Sequence, residues 1–528
     1  MKGFDVVVVG GGSSGCVVAG RLATEHPGAR IALVEAGPPA DAHPETLSAS
    51  GYKTAFVNDA LFWERYTTPQ PNAGGQRIFA GTGHVLGGSG AVNGMVYTRG
   101  AREDYAEWPE GWRWDDVVPD FEALERRLRP RRRPPTRWTE ACISAAVACG
   151  FERRDDLNDG RLSNAIGYEW MNYEGADRRS SYVAYVREPA PPNLTVYAEA
   201  SVDRLVFDAQ RRVESVALST GESLRVDGEV VLCAGALETP KVLMLSGVGP
   251  EQALRAAGIT PVLDAPAIGQ NLHDHPNVPL FFACRKPVDC LQPQLYSFYR
   301  TRPGGPLPEG QSDTCYVFWP APSAMKQALQ RMLPGKLGLE GPGAARQALR
   351  AGVEGLFAVP GVNEGVQHLY GIVVILGKPH SRGSVRLKSR DPRMSAAVDP
   401  AYFSDPRDLE TLVLGVRHAR RLSRSAGLKG YGSVELQPAP LGVGVSDDAA
   451  IGRWVANNAI TTFHFAGTCR MGHDANAPVD PHTLRVRGLA NVRVADASVV
   501  PWTPVSAMNA PSMLVGHRAA TAIGRTLA

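Results

Sequence analysis

The chain has 528 residues, of which 44% are hydrophobic and 21% charged, with a formal net charge of +3. That length holds a large buried core and more than one domain, and so small a net charge carries no argument for nucleic acid. No apolar run approaches the roughly 20 residues a membrane span needs, and residues 1–10, MKGFDVVVVG, show no charged leader followed by an apolar stretch, so a cytoplasmic protein is expected. The eight cysteines are scattered without a CxxC pair, which reads as reduced thiols rather than a disulfide framework.

The first predicted element is DVVVV at 5–9, a β-branched run suited to a strand buried on both faces of a parallel sheet. It leads into GGGSSG, with Gly10, Gly12 and Gly15 at the G-x-G-x-x-G positions, and then into CVVAGRLATEH, which reads as a helix. A second strand at 30–35, RIALVE, ends in Glu35, about 20 residues beyond Gly15, where a ribose-binding carboxylate belongs. Gly10 permits the tight turn, Gly12 lets a pyrophosphate approach the backbone, and Gly15 lets helix and strand pack closely. The helix N-terminus then offers free N–H groups to the phosphates. Strand, loop, helix, strand and acid in this order predict a dinucleotide site; the fingerprint alone does not choose FAD over NAD.

Farther along, residues 83–100 read GHVLGGSGAVNGMVYTRG. Residues 126–137, RRLRPRRRPPTR, hold seven arginines and three prolines; the prolines forbid a continuous helix, and an exposed basic loop is expected. ASVDRLVF at 200–207 carries Val202 in a strand. EVVLCAG at 229–235 is a strand running into the helix of GALETPKVLMLSGVG at 235–249. GQNLHDH follows at 269–275. YGIVVI at 370–375 and SVRLKS at 384–389 read as strands. From Asp405, Leu409, Leu412, Val413 and Val416 recur at helical spacing, with Asp405 and Asp408 suited to the cap and the helix dipole. Near the end come FHFAGTCRMGHD at 463–474, a short strand VRVA at 492–495 closed by Asp496, and SAMNAPSML at 506–514. An acid at the carboxyl end of a parallel strand sits where ligands bind in open α/β sheets.

The loop at 10–15 and the segments at 83–100, 235–249, 269–275, 464–472, 494–501 and 506–514 together resemble the glucose–methanol–choline (GMC) oxidoreductases. The resemblance covers the cofactor-binding parts well and the middle poorly. It implies an α/β fold in which a discontinuous Rossmann-like FAD-binding domain (1–155, 193–280 and 460–528) accompanies a substrate-binding domain (156–192 and 281–459) with an antiparallel β-sheet and helices. It implies FAD contacts by Gly10, Gly12, Ser13, Ser14, Gly15, Glu35 and Ala36. Val85, Gly87, Asn93, Gly94, Met95 and Val96 would wrap the flavin, with Asn93 at the isoalloxazine edge. Val202 would meet the adenine through its backbone, Asp496 and Ala497 would hold the ribityl–pyrophosphate part, and Asn509 and Pro511 complete the set. His84 departs from the first signature, where a basic or small polar residue is usual. Val92 stands where some members carry a histidine that attaches FAD covalently, so non-covalent FAD is expected.

The chemistry implied is oxidation of an alcohol CH–OH group to a carbonyl, with hydride passing to flavin N5 and a base taking the hydroxyl proton. The resemblance places that base at His464 and an orienting asparagine at Asn509; histidine suits the role because its ordinary pKa is about 6.5. The other polar side chains of 463–474 have rival readings. H-x4-C-x3-H matches no closely spaced metal-ligand pair, so no metal is expected. Cys469 as a nucleophile needs a thiolate-promoting setting, and the resemblance makes it a packing residue. His473 reads as a surface or supporting residue, His273 and His275 as structural, and His517 as helix packing. A lyase of the hydroxynitrile type or a flavin photodecarboxylase is the alternative on the same fold. A choline-like substrate would need a carboxylate and an aromatic cage; Tyr296, Tyr299, Phe318 and Trp319 lie in the middle segment and read as core. The partners implied are a small-molecule alcohol and an electron acceptor (dioxygen, a quinone or another carrier) that no motif specifies.

Overall fold

The structure is a computed structural model that describes every residue except 306, 342, 439–444 and 528. β1 (Gly3–Val9) is a continuous apolar run because it lies between two parallel neighbours. Val7 is in register with Ala32 of β2 (Ile31–Val34) on one side and with Val230 of the strand Ser223–Leu232 on the other. The sheet extends beyond β2 to the parallel strand Leu194–Tyr197. Beyond Ser223–Leu232 it extends through the antiparallel strands Val213–Leu218 and Val202–Phe207. Val492–Val494 adds in parallel against residues 230–232. One sheet therefore joins the start, middle and end of the chain. α1 (Ser13–Glu25) packs on the C-terminal helix Asn509–Leu527, where a Cβ on Gly516 would fall 2.6 Å from the Ser14 carbonyl oxygen.

A second, larger sheet is almost wholly antiparallel. Its order is Val434–Gln437, Pro276–Ala283, Leu369–Leu376, Thr314–Pro320, Leu295–Tyr299, Ala165–Tyr168 and Glu152–Arg153, with an eighth strand, Ile460–Thr461, also paired to Pro276–Ala283. Alternation assigns its two faces. Leu280, Phe282, Phe318, Ile372 and Val374 are buried in a core covered by the helix Pro406–Arg424, whose Leu412, Val416 and Ala419 join the same core. Their alternates Phe281, Val317, Trp319, Val373 and Ile375 face a cavity. The expected helix from Asp405 is present: the Asp405 carboxylate accepts from the Arg407 N–H as cap. Asp408 does more than favour the dipole, since its two oxygens accept from the N–H groups of His380 and Ser381.

The basic segment is the largely exposed loop expected over residues 129–136, with a helix at each end. Arg126 and Arg127 end the helix Trp114–Leu128, and Arg137 opens the helix Arg137–Val147. The three prolines all fall in the short connection, which is pinned rather than free. Arg129 and Arg131 pair with Glu174, and Arg132 and Arg133 lie over the rings of Trp170 and Tyr173. All eight cysteines are free and buried. Among the described residues no helix is long and apolar enough to cross a membrane.

Candidate active site

The carboxyl ends of the first sheet and the inner face of the second enclose a cavity of about 840 Å³. The three loop glycines are required for three different reasons. Gly10 has φ +101, and a Cβ there would meet the Cys233 carbonyl at 2.5 Å. At Gly15 a Cβ would lie 1.9 Å from the Gly10 oxygen, so no side chain fits between helix and strand. At Gly12 the nearest atom to an added Cβ is Gly88 Cα at 3.9 Å, so nothing in the protein forbids a methyl group; it would protrude into the cavity that Gly12 lines. The N-terminus of α1 has no side-chain cap and no acid in its first turn, which leaves its N–H groups open toward the cavity. Gly94 lines the cavity likewise, with nothing within 4 Å of its Cβ position. The glycine loop and the N-terminus of α1 make an anion-accepting cradle with room for a pyrophosphate against bare backbone; the residues present fit a dinucleotide.

Ser13, Ser14, Glu35 and Ala36 line the same end, as do Val202, Asp496 and Ala497. Glu35 already accepts from the N–H groups of Gly11 and Gly37, each at 2.8 Å, and burial pushes its pKa up to about 7. Asp496 accepts from Gly235 N, Thr239 Oγ1 and Ser498 N, so its carboxylate shapes the turn beside the cavity; burial again raises its pKa. Asn93 and Val96 line the cavity. Val85, Gly87, Met95 and Pro511 are buried but lie behind the wall, as Gly15 does. Gly87 supports it directly, its N–H donating to the Gly11 carbonyl at 2.6 Å. Met95 holds φ 69, a left-handed conformation costly for a side-chain-bearing residue, and its N–H donates to Asn93 Oδ1.

His464 and Asn509 both line the cavity. Ser13 Oγ donates to Asn509 Oδ1 at 2.8 Å, which ties the glycine loop to the first residue of the C-terminal helix and leaves the Asn509 amide hydrogens for the cavity. His464 is fixed from two sides. Its backbone N–H donates to Asp274 Oδ1 at 2.6 Å, and the Asp274 Oδ2 accepts from the hydroxyls of Thr461 and Tyr402 at 2.5 Å each. Its ring Nδ1 lies 2.9 Å from Nδ1 of His275, the rings nearly perpendicular at 88°. Burial lowers the His464 pKa to about 4 and that of His275 well below the usual value. Both imidazoles are therefore neutral near pH 7, with one proton shared between the two Nδ1 atoms.

The remaining polar groups of 463–474 point elsewhere. Cys469 is fully buried, and burial pushes its thiol pKa far above the ordinary range. His473 is exposed, its ring 5.1 Å from that of His482. Among the described residues no cluster of His, Cys, Asp or Glu could hold a metal ion. His273 is buried on the Asn271 carbonyl, and His517 packs beside Asp120. His84 packs against Trp63 with ring centroids 4.4 Å apart and the planes tilted by 57°. Of the four aromatic residues, Tyr296 and Trp319 line the cavity, Phe318 belongs to the opposite face, and Tyr299 stacks on His418.

Three residues of this site carry no functional signal in the sequence. His275 reads there as structural only; its contact with His464 spans 189 positions, which no local pattern reports. Arg178 is buried and donates to the carbonyls of Gly90 and Asn93 and to Asn93 Oδ1; burial lowers its pKa to about 9. Glu169 lines the cavity. Neither one arginine of the pair at 178–179 nor a single glutamate between Tyr168 and Trp170 carries a signal of its own.

A Rossmann-like sheet with a phosphate cradle, facing an antiparallel sheet across a cavity with a neutral imidazole in its wall, defines a dinucleotide-dependent oxidoreductase. The chain belongs to the GMC oxidoreductase family: the family's two conserved regions match residues 4–277 and 379–516. It is 31% identical to the alcohol dehydrogenase [acceptor] of Pseudomonas putida, across 99% of this chain and 96% of that one. It is also 31% identical to an oxygen-dependent choline dehydrogenase of Klebsiella pneumoniae, across 98% and 96%. The crystal structure of pyridoxine 4-oxidase from Mesorbium loti superposes with a TM-score of 0.83 at 26% identity, covering 98% of each chain.

Proposed function

We propose that the protein oxidises the CH–OH group of an alcohol to a carbonyl, with FAD held non-covalently, His464 as the base and Asn509 orienting the substrate oxygen. The observation that carries this reading is the placement of His464 and Asn509 on the wall of the cavity that the glycine loop also lines. Gly10, Gly12, Ser13, Ser14 and the N-terminus of α1 would hold the pyrophosphate. Glu35 and Ala36 would meet the ribose, Val202 the adenine, and Asn93, Gly94 and Val96 the ring system. The first sheet's body then serves the cofactor and the second sheet's inner face serves the substrate. Val92 precedes Asn93, and His464 is the single histidine among the described lining residues, which supports a dissociable cofactor.

When bound, FAD supplies the two-electron acceptor, taking the carbon-bound hydrogen with its electron pair at N5. In the tautomer that serves as base, the proton shared with His275 sits on His464 Nδ1, which leaves the Nε2 lone pair to take the hydroxyl proton. Asn509 donates its free amide hydrogens to the substrate oxygen as charge develops there. The apolar inner face, with Phe281, Val317 and Trp319, excludes water. The relatives named for alcohols and choline support this class of substrate. No feature of the site favours the lyase or photodecarboxylase alternative.

The test is anaerobic bleaching of the flavin in the dark by a panel of primary alcohols, with dioxygen and an artificial dye then compared as acceptors. An alcohol that reduces the flavin supports the reading; failure of every alcohol overturns it. His464→Ala is expected to retain bound FAD while flavin reduction slows by roughly 10²–10⁴-fold. An active variant would remove His464 from the base role.

A further inference from the structure

Glu169 is an acid that the reaction as described does not use. It follows the strand Ala165–Tyr168, next to the outermost strand of the sheet, and its N–H donates to the Gln294 carbonyl. Tyr168 and Leu295, paired in register, both belong to the core face. Alternation therefore puts Glu169 on the cavity face, beside Tyr296. The residue is 2% exposed, it lines the cavity, and neither carboxyl oxygen has a hydrogen-bond partner. Burial without compensation pushes its pKa up to about 8.

The other acids of the cavity wall are already satisfied. Glu35 and Asp496 accept backbone N–H groups, and Glu238 pairs with Arg65 and Lys241. Of the lining lysines, Lys336 is bonded to Gln76 and Asn457. Among the described residues no cation reaches Glu169. An unpartnered buried carboxyl costs stability, and a ligand group entering the cavity can relieve it. Near neutral pH burial keeps this carboxyl protonated; an ammonium entering as an N–H donor lets it ionise and supplies charge-assisted bonds to both oxygens, the strongest on offer. Tyr296, Trp319 and Phe281 line the same face, and their ring faces favour a cation as well. A quaternary ammonium has the charge but no N–H.

Resting on the alcohol-oxidation reading, we propose that Glu169 is the specificity-determining residue of this site, and that it selects alcohols bearing a protonated, N–H-carrying amine over neutral and quaternary-ammonium alcohols. The amine is held at Glu169 while the hydroxyl is presented to His464.

The test uses the FAD-loaded enzyme with three matched series of three to six carbons: n-alkanols, ω-amino alcohols and ω-(trimethylammonio) alcohols. The rate of flavin reduction against substrate concentration gives kcat/KM for each. The wild-type enzyme should favour the amino alcohol over both partners of equal length by at least about tenfold, the range of a charge-assisted hydrogen bond. In Glu169→Gln, with FAD still bound by its absorbance, the ratio of amino alcohol to alkanol should collapse toward one. A wild-type enzyme that treats the three series alike, or prefers the quaternary series, overturns the proposal without recourse to the variant. So does a variant that keeps the wild-type ratio. If no alcohol of any series reduces the flavin, the alcohol-oxidation reading itself falls, which is a different result from flat ratios among active substrates.

Discussion

An imidazole in water takes up a proton near pH 6.5, which would leave a surface histidine half-protonated in mildly acidic solution. Burial holds His464 down to about 4, and the sign of this shift has a kinetic consequence. The base works only when neutral, and it is neutral above its pKa. The acid limb of kcat/KM for flavin reduction is therefore expected to fall with an apparent pKa near 4, with full activity retained at pH 5.5. A limb near 6.5 in the pH–rate profile would show that His464 is not the group titrating. Glu169 runs the other way. Its pKa is raised by burial to about 8, so the unfolded chain loses this proton first, and the carboxyl costs stability increasingly as pH rises from about 4.5 to about 8. Glu169→Gln should then raise Tm more at pH 8.5 than at pH 5.5. In unfolding free energy the difference should amount to a few kcal/mol, because each pH unit over which the folded and unfolded forms differ by one proton is worth roughly 1.4 kcal/mol. An equal effect at both values would mean that the carboxyl finds a partner in solution. His464 is legible in the sequence because a local motif surrounds it. Its partner His275 and the orphaned Glu169 are not, because their significance lies in what they touch or fail to touch across the fold.

The elements most legible in the sequence are those whose reason is local. The β1–α1–β2 unit declares itself through an apolar run, three glycines and an acid at fixed spacing, and the structure reproduces it to within three residues, the helix beginning at Ser13 rather than Cys16. The helices Met325–Lys336 and Ala344–Ala358 are not legible there: neither Ala324 nor Gly343 caps them with a side chain, and Pro334 and Gly335 interrupt the first. The basic connection reads as an exposed loop because its prolines correctly mark a break, while the acid and the aromatic rings that pin its arginines lie more than thirty positions farther along. The glycine loop permits a contrast that separates folding from ligand binding. Gly15→Ala would force a Cβ to 1.9 Å from the Gly10 oxygen, so loss of the folded state is expected. Gly12→Ala places its Cβ 3.9 Å from the nearest protein atom and should fold normally while filling the phosphate cradle. Circular dichroism should match wild type for Gly12→Ala, with FAD content after purification falling by tenfold or more, about 1.4 kcal/mol in binding. A Gly12→Ala protein that retains full flavin would show that no pyrophosphate approaches this backbone.

At the scale of the molecule, the two sheets form the floor and one wall of the cavity, and the helix Met325–Lys336 supplies part of the roof. Its Met325, Ala328, Leu329, Met332 and Leu333 line the cavity at helical spacing. Between them, Arg331 turns the other way. Its side chain has no exposed surface and lies 4.8 Å from the ring centroids of both Phe62 and Phe79. It bonds Asp59 at 2.6 Å, and Arg346 and Arg350 of the neighbouring helix Ala344–Ala358 meet the same carboxylate at 2.9 and 2.7 Å. Glu64 adds a second anion to Arg346 at 2.7 Å. Three guanidiniums thus converge on two carboxylates, and Asp59 is the shared one. Its side chain is 48% exposed, so screening reduces its worth, but removing it leaves a buried arginine short of its nearest counter-charge. Asp59→Ala is expected to cost about 1–3 kcal/mol, and the cost should fall locally, because the sheets keep their own cores. The roof helices should open first. Limited trypsin digestion should cut the variant within 325–366 before any other region, and KM for the best alcohol should rise several-fold with kcat changed less. A digestion pattern identical to wild type would show that the roof is held by its apolar contacts with the cavity rather than by this charge cluster.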